Sequence, residues 1–204
     1  MIDSYRTVKK ESQAKVVRKK SRFISTCFHV ESTDEVTSLI NRARREYHDA
    51  SHRCYAYRVL ASNGLIEYGS DAGEPSGSAG APILQQIAKL DLYNVLVIVV
   101  RYFGGTKLGI RGLIEAYGDT TAQALASADI VLERREVSLQ VRFPPEITSQ
   151  VLGLVHHHQA RVGNLSYDKE GHALVTIPES LVKDFTDRLT EATGARAVWE
   201  EGND

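Results

Sequence analysis

Cysteine is scarce in this chain of 204 residues, with Cys27 and Cys54 as its two representatives. Two thiols cannot build the disulfide framework of a small secreted protein, and free thiols suit a reducing compartment. Long apolar runs are also missing. The longest, residues 95–100, has the length of a strand and falls far short of the roughly 18 residues that a membrane helix needs. No apolar secretory segment opens the sequence, so we expect a cytoplasmic protein that uses no membrane.

An excess of one charge sign is absent too, because 25 basic and 26 acidic residues give a net charge of −1. A global signal for binding a polyanion is therefore lacking. The distribution is uneven, however, since residues 6–22 carry eight basic side chains against the single acid Glu11. Two interpretations stay open for this segment. It is either an arm that binds nucleic acid, with Lys19, Lys20 and Arg22 as candidate RNA contacts, or a solvated, partly frayed terminus.

Apolar periodicity predicts an α/β (α+β) protein with two domains, at residues 1–133 and 134–204. Ser32 and Glu35 form a capping box before the first helix, and Asn63-Gly64 is a turn dipeptide between two strands. The elements predicted for the first domain are strands at 16–17 and 23–30, a helix at 36–47, strands at 54–60 and 65–68, a helix at 83–90, a strand at 94–102 and a helix at 112–126.

The second domain follows a charged stretch at residues 132–136. Its predicted order is strand, helix, strand, strand, helix and strand within about 70 residues, and the second helix stops at Gly194. That order is the ferredoxin-like arrangement.

Two glycine-rich segments, residues 68–82 and 97–118, stand out in the first domain. Glycine at this density costs chain entropy, so it marks places where the backbone turns tightly or approaches another group closely. Neither segment is a Walker A loop, because the Gly-Lys-Ser/Thr ending is missing, and neither contains GxGxxG.

The same segments carry a family resemblance. GSDAGEPSGSAGAP at residues 69–82 and VVRYFGGTKLGIRGLIEAYG at residues 99–118, preceded by KSRFI at 20–24 and HRC at 52–54, resemble the YigZ/IMPACT family over about residues 15–130. The later part is similar to the small domain found in bacterial members.

This resemblance implies a first-domain fold with a left-handed βαβ crossover, shared with a ribosomal small-subunit protein, a domain of elongation factor G and GHMP kinases. The second domain is then similar to the neighbouring ferredoxin-like domain of that elongation factor. Eukaryotic members act in translational control through a general-control regulator and carry an extra N-terminal interaction domain, which this sequence lacks, so that role is not carried over. Bacterial members have no settled reaction.

The sequence departs from the family pattern at two places. Members often have a small residue and then Gly or Ser where Ile110 and Arg111 stand, and a basic residue is common at the position of Glu115. Arg111 adds a cation and Glu115 an anion near the glycine loop, so these two departures add opposite charges to an anion site there.

An anion site is one interpretation of the two segments, because glycines free backbone amides and a helix start near Gly112 favours negative charge. Asp71 and Glu74 could be paired carboxylates for Mg²⁺ or for acid–base chemistry. The alternatives are a tight strand-to-helix connection with aromatics in the core, and ordinary turn chemistry at the acids. The candidate ligand- or anion-binding residues are Arg101, Tyr102, Gly104, Gly105, Lys107, Gly109, Arg111, Gly112, Asp71, Gly73 and Glu74.

Metal and catalytic sites are not indicated. His48, His52 and Cys54 have loosely zinc-like spacing but lack a fourth ligand, so an inert buried cysteine is favoured. Successive side chains of His156-His157-His158 fan around a helix and cannot converge on one metal. We expect no metal and no cofactor, and no catalytic residue is assigned.

The favoured function is an RNA- or ribosome-associated binding protein that regulates translation. A small enzyme acting on a phosphorylated or nucleotide substrate through the glycine loops is the alternative, by analogy with GHMP kinases, and fold analogy is a weak argument for function. An adaptor that binds a regulatory protein is a third interpretation.

Overall fold

The computed structural model describes residues 3–61 and 64–202. Their contacts divide between Glu133 and Arg134, so that residues 5–133 form one compact unit and residues 134–202, with residues 3 and 4, form another. That the two units fold independently stays a prediction.

A five-stranded antiparallel sheet organises the first unit, in the order β2-β3-β6-β4-β5. The central strand β6 is buried along almost its whole length, as its run of β-branched residues predicts. A two-stranded sheet pairs β1 with β7. The strands are β1 (Ser4–Val8), β2 (Ser12–Arg18), β3 (Ser21–His29), β4 (His52–Ala61), β5 (Gly64–Ser70), β6 (Val95–Tyr102) and β7 (Ile130–Arg134).

Three helices cover the two faces of this sheet: α1 (Thr33–Glu46), α2 (Gly80–Lys89) and α3 (Gly109–Ala126). α2 and α3 bury one core, whose large side chains include Phe23 and Tyr117. α1 packs on the other face through Val36 and Ala43. The predicted cap is confirmed, because the Ser32 hydroxyl accepts a hydrogen bond from the Glu35 N–H at 3.2 Å.

The basic N-terminal segment is built into strands, so its interpretation as a frayed terminus is wrong. Tyr5 and Val8 are buried and anchor β1, which the sequence prediction missed, as it missed β7. In β2, Lys15 and Arg18 are exposed at the edge of the five-stranded sheet. Exposed cations are a common protection for an edge strand.

The ends of some elements differ from the prediction. α3 begins at Gly109, about one turn before the predicted Gly112. The low helix propensity of glycine makes a start at Gly109 difficult to predict from the sequence. The β4–β5 hairpin is confirmed by the pairing of Ala61 with Gly64. Asn63, the first residue of its predicted turn dipeptide, lies outside the described residues.

The second unit confirms the ferredoxin-like arrangement. Its antiparallel sheet has the order β11-β8-β10-β9, with a core that includes Val141, Val175 and Phe185. α5 ends as predicted at Gly194, whose φ of 59° provides the left-handed cap. The elements are β8 (Glu136–Phe143), α4 (Thr148–His157), β9 (Arg161–Tyr167), β10 (Gly171–Pro178), α5 (Val182–Thr193) and β11 (Val198–Glu201), with short 3₁₀ turns at Pro145–Ile147 and Glu179–Leu181.

Across the described ranges, none of the helices combines the length and the apolar character needed to span a membrane.

We predict that residues 1–133 and 134–204, expressed separately, each unfold in one cooperative urea transition, because each unit has its own buried core. Circular dichroism of the two fragments checks this. An unfolded fragment would contradict the division into domains.

Candidate functional site

The turn between β2 and β3 and the glycine loop after β6 lie against each other. Lys19 and Lys20 form a two-residue turn between the paired residues Arg18 and Ser21. A Cβ atom on Gly104 would lie 2.0 Å from the carbonyl carbon of Lys20, so only glycine allows this approach. The structure therefore brings the candidate RNA contacts of the N-terminal segment next to the candidate anion-binding loop.

A cleft of about 400 Å³ borders this loop. Its polar groups come from His52, Glu74, Arg101 and Lys107. Its apolar lining is formed by Pro75, Phe103, Leu108, Ile110 and Leu113. An apolar wall with a few convergent polar groups is typical of a ligand site.

A buried ion pair forms the floor of the cleft. Arg101 Nη1 donates to Glu74 Oε1 at 2.7 Å, and the two side chains are only 6% and 3% exposed. The Tyr117 hydroxyl donates to the same carboxylate oxygen at 2.8 Å. Burial, together with its neighbours Cys54 and Glu74, holds the pKa of Tyr117 well above its usual range, so this hydroxyl remains a donor.

Ser21 ties this pair to the glycine loop. Its hydroxyl oxygen accepts a hydrogen bond from the Gly104 N–H at 3.1 Å and lies 3.4 Å from Arg101 Nη2. Arg101 Nε has no hydrogen-bond partner within the part of the chain that the structure describes. The guanidinium lies 5.5 Å from the ring centroid of Phe23 and 5.4 Å from that of Phe103, and contact with the two rings partly offsets the missing bond.

His52 stands beside the ion pair, and its hydrogen-bond partner fixes its tautomer. Nδ1 lies 3.1 Å from the carbonyl oxygen of Ala72, which can only accept, so Nδ1 carries the hydrogen. Nε2 then presents a lone pair to the cleft in the neutral ring. It lies 3.9 Å from Glu74 Oε2, too far for a direct hydrogen bond.

The Asp71 carboxylate is hydrogen-bonded to the backbone of its own loop. Its carboxylate accepts hydrogen bonds from the N–H groups of Gly77, Ala79 and Gly80 at 2.8, 2.9 and 2.9 Å. Partial burial raises the pKa of this carboxyl, but the three backbone bonds outweigh burial and lower it below its usual value of 3.8. Asp71 thus holds the loop and the start of α2 together, as the turn-chemistry alternative expects.

Cys54 is fully buried, as the sequence favours. Its thiol donates to the carbonyl oxygen of Asp71 at 2.9 Å, and burial raises its pKa to about 12. A thiol held protonated in this way is a poor nucleophile and metal ligand. Over residues 3–61 and 64–202, no three His, Cys, Asp or Glu side chains are grouped to hold a metal ion.

Other predicted residues lie outside the cleft floor. Tyr102 donates to Asp49 at 3.0 Å and stacks on Arg22 at 4.3 Å, and its neighbours belong to the core on the α1 side. Arg111 pairs with Glu115 at 3.0 Å while 93% exposed, so the two departures from the family pattern cancel each other's charge.

Three of the loop glycines are favoured by their backbone angles, and a fourth by its close contact with a side chain. Gly73, Gly105 and Gly109 have φ values of 88°, 84° and 75°, which favour glycine over any residue with a Cβ. At Gly112 a Cβ would meet the Leu108 side chain at 3.1 Å. α3 begins after Leu108 without a side-chain cap, so its first amides remain available to an anion.

Two residues that matter in the cleft were not assigned to it from the sequence, His52 and Tyr117, whereas Phe103 was expected as a stacking face for a base. The alternation of side chains along a strand could have indicated His52. His52 and Cys54 alternate with Arg53 in β4, so their side chains lie on the same face of the strand, the face toward the glycine loop. Tyr117 lies two turns into α3, and no local pattern links it to Glu74.

Comparisons with known proteins agree on one family. The sequence profile of the Impact N-terminal domain matches residues 19–125. The IMPACT family member YvyE of Bacillus subtilis is 30% identical over 202 residues, 99% of this chain and 93% of that protein. The IMPACT family member YigZ of Escherichia coli is 32% identical over 178 residues, 85% of each chain. A crystal structure of a hypothetical protein superposes over the whole of both chains with a TM-score of 0.69 and 24% identity, which supports the fold.

We predict that Arg101→Met lowers the free energy of unfolding by about 3–5 kcal/mol, because it leaves the Glu74 carboxylate buried without its cation. Urea titration measures the change. The matched control is Arg111→Met, which breaks an exposed pair and should cost no more than about 0.5 kcal/mol. If the two substitutions lowered the free energy of unfolding by equal amounts, the buried pair would contribute no more to stability than the exposed pair, and the prediction would be wrong.

We also predict that Asp71→Asn destabilises the protein by about 1–3 kcal/mol at neutral pH, since an amide cannot accept from all three backbone donors. A carboxyl whose pKa is lower in the folded state stabilises the fold above its unfolded pKa and loses this contribution as the pH falls through the folded value. The difference between the variant and the wild type should therefore shrink below about pH 4. Urea unfolding at pH 7 and pH 3 tests this, and a difference independent of pH would refute it.

Proposed function

The chain belongs to the IMPACT family, and on that premise we propose that it is a translational regulator that binds RNA, free or within the ribosome. The binding surface is the basic rim, which we define as Lys19, Lys20, Arg22 and Lys107. It borders the glycine loop between β6 and α3.

Unneutralised charge is the observation that supports this proposal. Within the described residues, Lys19, Lys20 and Lys107 are exposed and make no ion pair, and Arg22 makes only the stacking contact with Tyr102. The arginines nearby are neutralised: Arg18 by Asp119, Arg101 by Glu74 and Arg111 by Glu115. The rim therefore presents four cations beside the glycine loop that no carboxylate neutralises among the described residues, and these are free to meet phosphates.

Backbone strain at the turn supports the same surface. Lys19 and Lys20 both have positive φ, 46° and 66°, where Asn and Gly are strongly preferred. Two lysines held in this conformation cost stability that Asn-Gly would avoid. The presence of two lysines here is explained if the charges are needed where the turn touches the glycine loop.

Backbone donors extend the rim. The uncapped start of α3 offers free N–H groups and the positive end of the helix dipole. A phosphate near Lys107 would meet these groups together with the lysine. The combination of open amides and cations suits a sugar–phosphate chain, whose contacts are mostly to phosphate.

A second candidate function, a small enzyme acting on a phosphorylated or nucleotide substrate, is favoured by one feature of the cleft. His52 Nε2 presents a lone pair beside the buried Glu74, an arrangement that can accept a proton from a bound substrate. Mg²⁺-dependent nucleotide turnover that His52→Ala abolishes without loss of RNA binding would establish this alternative. Asp71 is unsuitable for such a test, because its substitution disturbs the loop.

We predict that replacing Lys19, Lys20 and Lys107 together by Gln weakens binding of oligoadenosine RNA and reduces the slope of log affinity against log salt by about 2. Each phosphate contact to a single strand contributes about 0.7 to that slope. Fluorescence anisotropy between 50 and 200 mM salt measures it.

The matched control replaces Lys9, Lys10 and Lys89 by Gln. These lysines change the net charge by the same amount but lie away from the rim, two of them beyond the other end of β2. An equal effect of the two triple variants would refute the rim, and melting temperatures near that of the wild type would show that folding is not the cause.

A further inference from the structure

We propose that the cleft beside the basic rim reads one guanine base of single-stranded RNA. This inference rests on the proposed function and names the part of the ligand that enters the cleft. Its evidence comes from the shape of the cleft, the hydrogen-bonding groups on its floor and the cation at its edge.

The size and walls of the cleft suit a single base. Its volume of about 400 Å³ is near the lower end of the range for small-ligand sites. Phe103 lines the cleft with half of its surface exposed. Contact of this apolar ring with water is unfavourable, and a partner that covers the ring would remove that contact. Stacking of an unpaired base on an aromatic ring is the usual way in which proteins hold single-stranded RNA.

Two hydrogen-bond acceptors face each other on the floor. Glu74 Oε1 already receives hydrogen bonds from Arg101 and Tyr117, whereas Oε2 receives none from the described residues. In the neutral ring His52 Nε2 is a second acceptor, because Nδ1 then carries the hydrogen that faces the Ala72 carbonyl. Oε2 opens onto the cleft without a donor among the described residues, so a ligand with N–H groups fits this place.

Guanine is the base that matches two adjacent acceptors. Its Watson–Crick edge carries the N1–H and the N2 amino group side by side, and both donate. Adenine and cytosine place an amino group beside a ring nitrogen that accepts, and uracil places one N–H between two carbonyls. Each of these would set an acceptor against Glu74 or His52 and leave it unpaired.

A cation at the edge of the cleft can hold the phosphate of the nucleotide whose base enters it. Lys107 lines the cleft without an ion-pair partner in the described structure. On the proposed binding surface this lysine contacts phosphate together with the free N–H groups at the start of α3. A base held on the floor of the cleft would leave its phosphate near Lys107.

The test uses octamers of adenosine that carry either one guanosine or one inosine at the fifth position. Inosine lacks the N2 amino group and otherwise preserves the base. We expect the wild-type protein to bind the guanosine octamer about tenfold more tightly than the inosine octamer, the scale of one specific base contact. Fluorescence anisotropy at low salt measures both affinities.

Two variants separate recognition from folding. Glu74→Gln should remove the preference for guanosine over inosine, and the ratio of the two affinities is the readout because the substitution alters the pocket for both octamers. Phe103→Ala does not touch the Glu74 carboxylate, so it should weaken both octamers about tenfold through lost stacking and keep their ratio. If Glu74→Gln proves unfolded by its melting curve, the guanosine-to-inosine ratio of the wild type and the Phe103→Ala result still decide the proposal.

The outcomes distinguish the base pocket from the RNA surface. Equal wild-type affinities for the two octamers would overturn the guanine pocket while RNA binding on the rim stands. If neither octamer binds at low salt, calorimetry with GMP and IMP decides: tighter binding of GMP would support the guanine pocket with a free nucleotide as its ligand and overturn the RNA proposal, and no difference would overturn both.

Discussion

The contact between the Glu74 carboxylate and the Arg101 guanidinium joins parts of the chain that the sequence keeps far apart. Arg101 ends the central strand, Glu74 lies in the loop between β5 and α2, and Tyr117 reaches the same carboxylate from α3. Removing these charges from water costs several kcal/mol, and that cost is recovered only while the geometry of the pair is kept. The surrounding loops therefore have little freedom, because each must keep its polar group within hydrogen-bond distance. This constraint explains why glycine and short side chains are concentrated here and not elsewhere in the first unit.

The loop that carries Glu74 is itself fixed by a second set of polar contacts. Asp71 gathers three backbone N–H groups, and Gly80 packs so closely on β5 that a Cβ there would lie 2.5 Å from the Ser70 nitrogen. Glu74 is thus aimed into the cleft by backbone that cannot rotate freely. A preorganised carboxylate of this kind holds its open oxygen in place before a ligand arrives, which lowers the entropic cost of binding.

Sequence reasoning reached the architecture and only part of the site. The core of β6, the α1 cap and the ferredoxin-like order follow from periodicity and end signals, which are local. β1 and β7 were missed because each is five residues long and is stabilised by pairing across the length of the first unit. The glycine segments marked the right region, yet nothing local distinguishes Asp71, which holds the backbone, from Glu74, which faces the cleft. That difference is created by tertiary contacts with Arg101 and Tyr117, and so is the placement of His52.

Arginine and lysine have different roles in and around these contacts. Arg18, Arg101 and Arg111 each meet a carboxylate, which suits the rigid guanidinium fork. Lys19, Lys20 and Lys107 carry flexible, strongly hydrated charges and remain unpaired among the residues that the structure describes. The buried Arg101 thereby holds β6 against the loop that carries Glu74, whereas the exposed pairs of Arg18 and Arg111 contribute little to stability. The lysines supply positive charge that attracts a polyanion. Because the two sets share no ion-pair partners, the lysine charges can change with little effect on the buried network. The fold is thus expected to tolerate variation on its basic rim while the floor of the cleft stays constant.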